Sequence, residues 1–314
     1  MSEGAWSVYS ALVSTPTRIA NGAERRSQET VMRRPLATLV AAVLLFGASA
    51  SAQWLNYPDP GIPRTKDGKP NLAAAAPRTR DGKPDLSGVW KAEITPLAEW
   101  RKRLGDDAVA LRLATRIEGM GIGTNSIYSS NVLLDLSMEE QATLLRPAAV
   151  ERMRQPYISP SEACLPLAFP LATLFTPVTK LVQAPRVLLM LLEEGNVWRQ
   201  IYLDGRPLPK DPQPSWLGYS TGSWVGDSLV VQSNGFNDKA YLDSAGHPRS
   251  ESMHMTERYR RRDVGHLDIE ITFDDPVYYT RPFSLKVTHL LQPDTDILEY
   301  VCNENERDRE HMVR

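Results

Sequence analysis

From about residue 176 onward, apolar and polar positions alternate in short runs separated by turn residues, a period-two pattern that predicts strands. The clearest run sets Leu267, Ile269, Ile271 and Phe273 against Asp268, Glu270 and Thr272, a strand with one buried face. Val187 to Leu192 is apolar without interruption, as in a strand buried on both faces. Strands are expected over 178–183, 186–193, 197–203, 219–225, 228–233, 252–261, 266–273, 281–291 and 296–302. Glu194-Gly195-Asn196 and Gly226-Asp227 sit where hairpin turns belong. Short connections imply antiparallel neighbours. The expectation is a mainly β fold, an antiparallel meander forming a lipocalin-like barrel or barrel-like sheet, with a sandwich as the alternative closure.

Upstream of the strands the period lengthens. Leu97, Trp100, Leu104, Ala108 and Leu111 recur at gaps of three and four after Thr95-Pro96, which predicts a helix that Gly105-Asp106-Asp107 breaks in two. Gly119–Ser130 reads as a loop. A second helical stretch opens on the capping box Ser137-Met138-Glu139-Glu140 and runs to Met153, with Pro147 kinking it or starting a new helix. Before both lies an extended, proline-rich arm, residues 53–92. In it Pro63-Arg64-Thr65-Lys66-Asp67-Gly68-Lys69-Pro70-Asn71-Leu72 recurs fourteen residues later as Pro77-Arg78-Thr79-Arg80-Asp81-Gly82-Lys83-Pro84-Asp85-Leu86. Each copy carries an Asp-Gly turn pair, and the arm enters a first strand near Leu86–Trp90.

Residues 32–52 have the layout of a signal peptide: Arg33-Arg34, an apolar run Leu36–Phe46, and Ala50-Ser51-Ala52 ahead of Gln53. Translation is then expected to start at Met32, with 1–31 an upstream extension outside the mature protein. Export to the periplasm or beyond follows, and the eleven-residue run is too short to span a bilayer. Removing 52 residues from 314 leaves 262, and removing five Arg and three Glu changes the net charge from −2 to −4. A β-rich domain with its helical segment then covers 93–306, followed by a charged tail, 307–314.

That balance argues against a nucleic-acid partner. Proline, 24 of 314 residues, is above the usual share of about 5%. Export gives meaning to the only two cysteines, Cys164 and Cys302, 138 residues apart. A disulfide between them would stabilise by roughly 4–5 kcal/mol in the chain-entropy model; two buried free thiols are the alternative. The chain lacks a phosphate-binding Gly-x-x-x-x-Gly-Lys, a Gly-x-Ser-x-Gly elbow, His-Glu-x-x-His and Cys-x-x-Cys. No cofactor is expected.

The densest polar stretch runs from Gly235-Phe236-Asn237-Asp238 through His247, Arg249 and Glu251 to His254, Glu257 and Arg258. Strand alternation puts His254, Thr256 and Arg258 on one face and Met255, Glu257 and Tyr259 on the other, so His254 and Glu257 share a cavity only across a bulge. His247, in the loop before the strand, suits a barrel mouth. Catalytic candidates are His247, His254 and Glu257; histidine titrates near neutrality and serves acid–base work. A metal version uses His247, His254 and Glu304. Ligand contacts are expected from Asp238, His247, Glu251, His254, Arg258, Arg281 and Trp224. Trp198, Trp216 and Trp224 are aromatic candidates to stack on an apolar or sugar ligand, against a plain role in barrel packing.

Several motifs carry a family resemblance: Trp198-Arg199-Gln200-Ile201-Tyr202, Asp204-Gly205-Arg206-Pro207, Gly222-Ser223-Trp224-Val225-Gly226-Asp227, Gly235-Phe236-Asn237-Asp238, His254-Met255-Thr256-Glu257-Arg258 and Glu299-Tyr300-Val301-Cys302. Over roughly 54–90 and 160–306 the chain resembles a large group of exported bacterial proteins frequent in soil bacteria. It departs from that group at Arg249, where the resemblance implies His, and at Ala168-Phe169-Pro170-Leu171, where it implies Gly-x-Pro-Arg. The resemblance speaks to fold and implies no particular activity. The leading functional expectation is an exported barrel that binds a small, partly apolar molecule. An extracytoplasmic hydratase, isomerase or hydrolase using His/Glu or metal-assisted chemistry is the alternative, and an envelope structural protein the third.

Overall fold

The computed structural model describes residues 57–107, 109, 125–155, 165–175 and 178–299, all within the unit Trp54–Arg314. The expected extension and signal peptide, the Cys164–Cys302 bridge, Glu304 and the charged tail lie outside the described residues. Among the described residues no helix is long and apolar enough to cross a membrane.

Nine strands close into a barrel: β1 Gly88–Ala92, β2 Thr179–Ala184, β3 Val187–Leu192, β4 Val197–Tyr202, β5 Tyr219–Val225, β6 Ser228–Asn234, β7 His254–Arg261, β8 His266–Asp274 and β9 Phe283–Leu291. The eight from β2 to β9 fall within two residues of the runs expected from the alternation, because a half-buried strand writes its period directly into the sequence. β1 closes the barrel against β9, with Trp90 opposite Leu291 and Ala92 opposite His289. That closure corrects the expected last strand over 296–299, its remaining residues 300–302 lying outside the described ones. Residues 296–299 form none, since β1 already occupies the free side of β9. Instead the chain leaves along β2, where Asp296 pairs with Lys180 at 2.6 Å.

Eight of the nine neighbour pairs are antiparallel, and one is not. Sixteen residues, 203–218, carry the chain back so that β5 runs parallel to β4. Pro207, Pro209, Pro212 and Pro214 deny this return a ladder of its own. The parallel contact is brief, Ile201 opposite Ser220 and Tyr202 opposite Thr221. Above it the two strands part.

The arm covers one end of the barrel. Each repeat copy is a tight hairpin: the Thr65 amide donates to Lys69 O at 2.8 Å and the Thr79 amide to Lys83 O at 2.9 Å. Gly68 and Gly82 turn each tip at φ +77° and +79°, which the Asp-Gly pairs anticipate. Each copy also offers its arginine to an aspartate at the barrel end, Arg64 to Asp294 and Arg78 to Asp227. Leu86, fully buried, and the Gly265 amide donating to Leu72 O at 2.8 Å complete the seal.

Helical segments close the opposite end: α1 Leu97–Leu104, α2 Met138–Leu144, α3 Pro147–Met153 and α4 Leu171–Leu174. α1 stops at Gly105, α2 carries the reciprocal Ser137/Glu140 capping box, and Pro147 starts α3 at its first turn, each for the reason its residues suggest. α4 is buried at all four positions and, with Phe169, plugs the barrel. Inside, Trp90, Met190, Tyr259, Leu267 and Ile269 pack around a cavity of about 10 Å³, room for one water. At this level the lumen is filled by side chains.

Candidate functional site

The pleat separates the residues singled out above. His254 and Arg258 point outward from β7 and are exposed, whereas Glu257 points inward and is fully buried. Asp238, Glu251 and Arg281 are exposed on loops at the helical end. Trp224 is half-buried and packs on the core. His247 is buried at the helical end and pairs with Asp243. The structure thus brings none of His247, His254 and Glu257 together, and among the described residues no group of three His, Cys, Asp or Glu could hold a metal.

Glu257 belongs instead to a closed network in the lumen. On β4, Val197, Arg199 and Ile201 share the inward face, so a guanidinium stands among apolar neighbours and needs a partner there. Arg199 Nη1 donates to Glu257 Oε1 at 3.1 Å and Nη2 to Oε2. Nε donates to Ser220 Oγ at 2.9 Å and Nη2 to Ser233 Oγ at 2.8 Å, while Tyr259 Oη donates to Glu257 Oε1 at 2.5 Å. The Phe169 ring lies 4.3 Å from the guanidinium carbon. Burial pulls the guanidinium down, but the charge and hydrogen bonds of Glu257 outweigh it and hold Arg199 above its ordinary pKa. Burial, reinforced by Glu257, keeps the Tyr259 phenol protonated. Arg199 was missed as a candidate, though a charge on the apolar face of an alternating strand was its signal.

Two further polar centres hold the helical end. Asp243 receives His247 Nδ1 at 2.5 Å and the amides of Val132 and Ala245 at 2.7 and 2.9 Å. This carboxylate therefore anchors the loop and fixes the imidazole. Arg249, fully buried, donates among the described residues to neutral acceptors only: Asn237 O at 3.0 Å, Asn237 Oδ1 at 3.0 Å, Phe169 O at 3.3 Å and Trp216 O at 3.0 Å. Burial lowers its pKa to about 9, with Asp238 opposing. Arg249 and the loop that carries Phe169 thus touch each other here.

Where β4 and β5 part, a cleft of about 370 Å³ opens. One wall is β4 from Val197 to Gln200, which has no strand neighbour on that side among the described residues. The other is Ser215 to Ser220, fastened from behind by Ser215 to Gly235 and Asn237 and by Arg249 to Trp216. Gly218, at φ +67°, turns this wall into β5; a Cβ there would lie 2.7 Å from Asn234 O. Trp198, 61% exposed on the outward face of β4, and half-buried Trp216 line the space. At the mouth the Tyr202 and Tyr219 rings stack with centroids 5.3 Å apart, and Arg206 covers Tyr202 at 3.8 Å. Of the three tryptophans considered for stacking, Trp198 and Trp216 share this cleft and Trp224 does not. No protein-family model, curated protein or solved structure matches the chain.

Proposed function

We propose that this protein is an exported binder of a small, partly apolar molecule and that the ligand sits in the β4/β5 cleft rather than in the lumen. The observation that carries the reading is Trp198: an indole left 61% exposed beside a second tryptophan, in a concave site whose walls are held from behind. An isolated exposed aromatic needs no explanation, but one that shares a cleft of ligand size with a second aromatic does. Position argues the same way, since the lumen beside His289 has room for one water only. Native mass spectrometry of the protein purified from its own host tests this directly. A small molecule retained by the wild type and lost from Trp198→Ala is the expected result. One retained equally by both would place the ligand elsewhere.

The enzymatic alternative draws on a different observation, the buried Asp243–His247 contact, which orients an imidazole as acid–base chemistry requires. It would predict that a retained molecule is chemically altered on incubation with the wild type and unaltered with His247→Gln.

A further inference from the structure

We infer that the molecule bound in the β4/β5 cleft is an uncharged saccharide of one or two rings, stacked by a sugar face on Trp198. This rests on the reading of the cleft as the binding site.

Charge comes first. Among the described residues Arg199 is the one charged side chain in the cleft lining, and both of its terminal nitrogens are committed to Glu257. At the mouth, Arg206 is held by Asp204 at 2.7 Å and donates to Tyr219 Oη at 3.2 Å. A charged ligand would therefore lose hydration in the cleft and find no free counter-charge. A quaternary ammonium fails for a second reason. The two tyrosine rings stack on each other and Arg206 already covers Tyr202, so the tyrosine pair does not add to the two tryptophans the further walls that an aromatic cage needs.

Hydrogen-bonding capacity then excludes a purely apolar ligand. Among the described residues, neither the Trp198 nor the Trp216 indole N–H has a partner, and the Gln200 amide nitrogen is free while its oxygen accepts from Tyr202 Oη at 2.9 Å. Ser215, exposed in the lining, brings a hydroxyl. An oily ligand would bury these donors unpaired. Uncharged hydroxyls that accept from them, on a ring with a C–H face for the indole, satisfy both demands. A pyranose presents that combination. The volume, about 370 Å³, is at the small end of ligand sites and suits one or two rings.

Trp198 is exposed and can be changed without opening the core, so Trp198→Ala is the variant of choice. Calorimetric titration of wild type and variant would use cellobiose, maltose and chitobiose as neutral probes, a sulfated disaccharide as the charged probe, and naphthol as an uncharged apolar probe. At least one neutral disaccharide is expected to bind the wild type, with affinity unchanged by salt and weakened roughly tenfold or more in the variant. An unchanged melting temperature would confirm that the variant is folded. Binding by the sulfated probe alone, or neutral binding indifferent to Trp198, would overturn the saccharide. Should only naphthol bind, and through Trp198, the saccharide falls while the cleft stands. If nothing binds through Trp198, both fall.

Discussion

His289 makes the stability of the barrel fall on acidification, and the size of the effect follows from where the ring sits. The imidazole projects from β9 into the small luminal cavity beside Trp90, Thr173, Thr179, Met190 and Tyr259, and its Nε2 has no hydrogen-bond partner. Among the described residues no carboxylate lines that cavity, and its one titratable neighbour, Tyr259, stays protonated. Burial therefore lowers the His289 pKa from 6.5 to about 4, opposed by the Thr173 backbone. Between those values the unfolded chain carries a proton that the folded one refuses. Stability is whole above pH 6.5, declines as pH falls, and has lost the full contribution below about pH 4. At about 1.4 kcal/mol per pH unit the full loss is about 3.5 kcal/mol, of which about 3 kcal/mol has appeared by pH 4. Urea unfolding of wild type and His289→Leu at intervals from pH 7 to pH 4 measures it, because all other titrating groups are common to both. The variant should gain on the wild type by about 3 kcal/mol across that window. A gap constant to within about 0.5 kcal/mol would show that the ring is not held neutral in the fold.

Three other expectations follow from single contacts. Glu257→Gln leaves the Arg199 charge buried without a counter-charge and should lower unfolding free energy by about 3–5 kcal/mol in urea, whereas Arg199→Met with Glu257→Leu should recover much of it. A Cβ at Gly265 would meet Leu72 Cβ at 2.6 Å, so Gly265→Ala should lift the arm from the barrel end and speed proteolysis within residues 63–87, leaving strand content unchanged by circular dichroism. Ser137→Ala removes the side chain that receives the Glu140 amide and should cost about 1 kcal/mol in the same urea assay; a null effect would mean that α2 is held by packing alone.

Local periods were legible in the sequence and long-range closure was not. β8 is the plain case. Leu267, Ile269, Ile271 and Phe273 are buried and the residues between them are not, as alternation alone requires. The repeat was legible as two turns, since Asp-Gly with a nearby proline dictates a tight reversal in any surrounding. Its purpose was not, because Asp294 and Asp227, which receive Arg64 and Arg78, are 230 and 149 residues away. The expected strand at 296–302, absent over its described residues 296–299, shows the same limit. Its composition suits a strand, but whether β9 has a free side depends on where β1 closes, and no local pattern records that.

Trp198 and Arg199 are neighbours in the chain, and alternation correctly sends them to opposite faces of β4. For Arg199 the inward face was enough to imply a buried acid, and Glu257, on the inward face of β7, is that acid. For Trp198 the outward face implied only exposure, because a tryptophan on an intact sheet surface and one at a gap in the sheet read alike. What makes the gap is the parallel meeting of β4 and β5 over two residues, after a return whose four prolines announce a break but not its direction. An antiparallel hairpin at this point would have paired Val197–Gln200 along its length and closed the cleft. The parallel pair, a departure from the expected meander, is thus what opens the cleft, and restoring the antiparallel pairing should abolish it. A variant with 203–218 shortened to a two-residue turn cannot keep β5 parallel, since a parallel connection needs a dozen residues or more. Ligand retention should then disappear together with the parallel pair, whatever becomes of His247, His254 and Glu257.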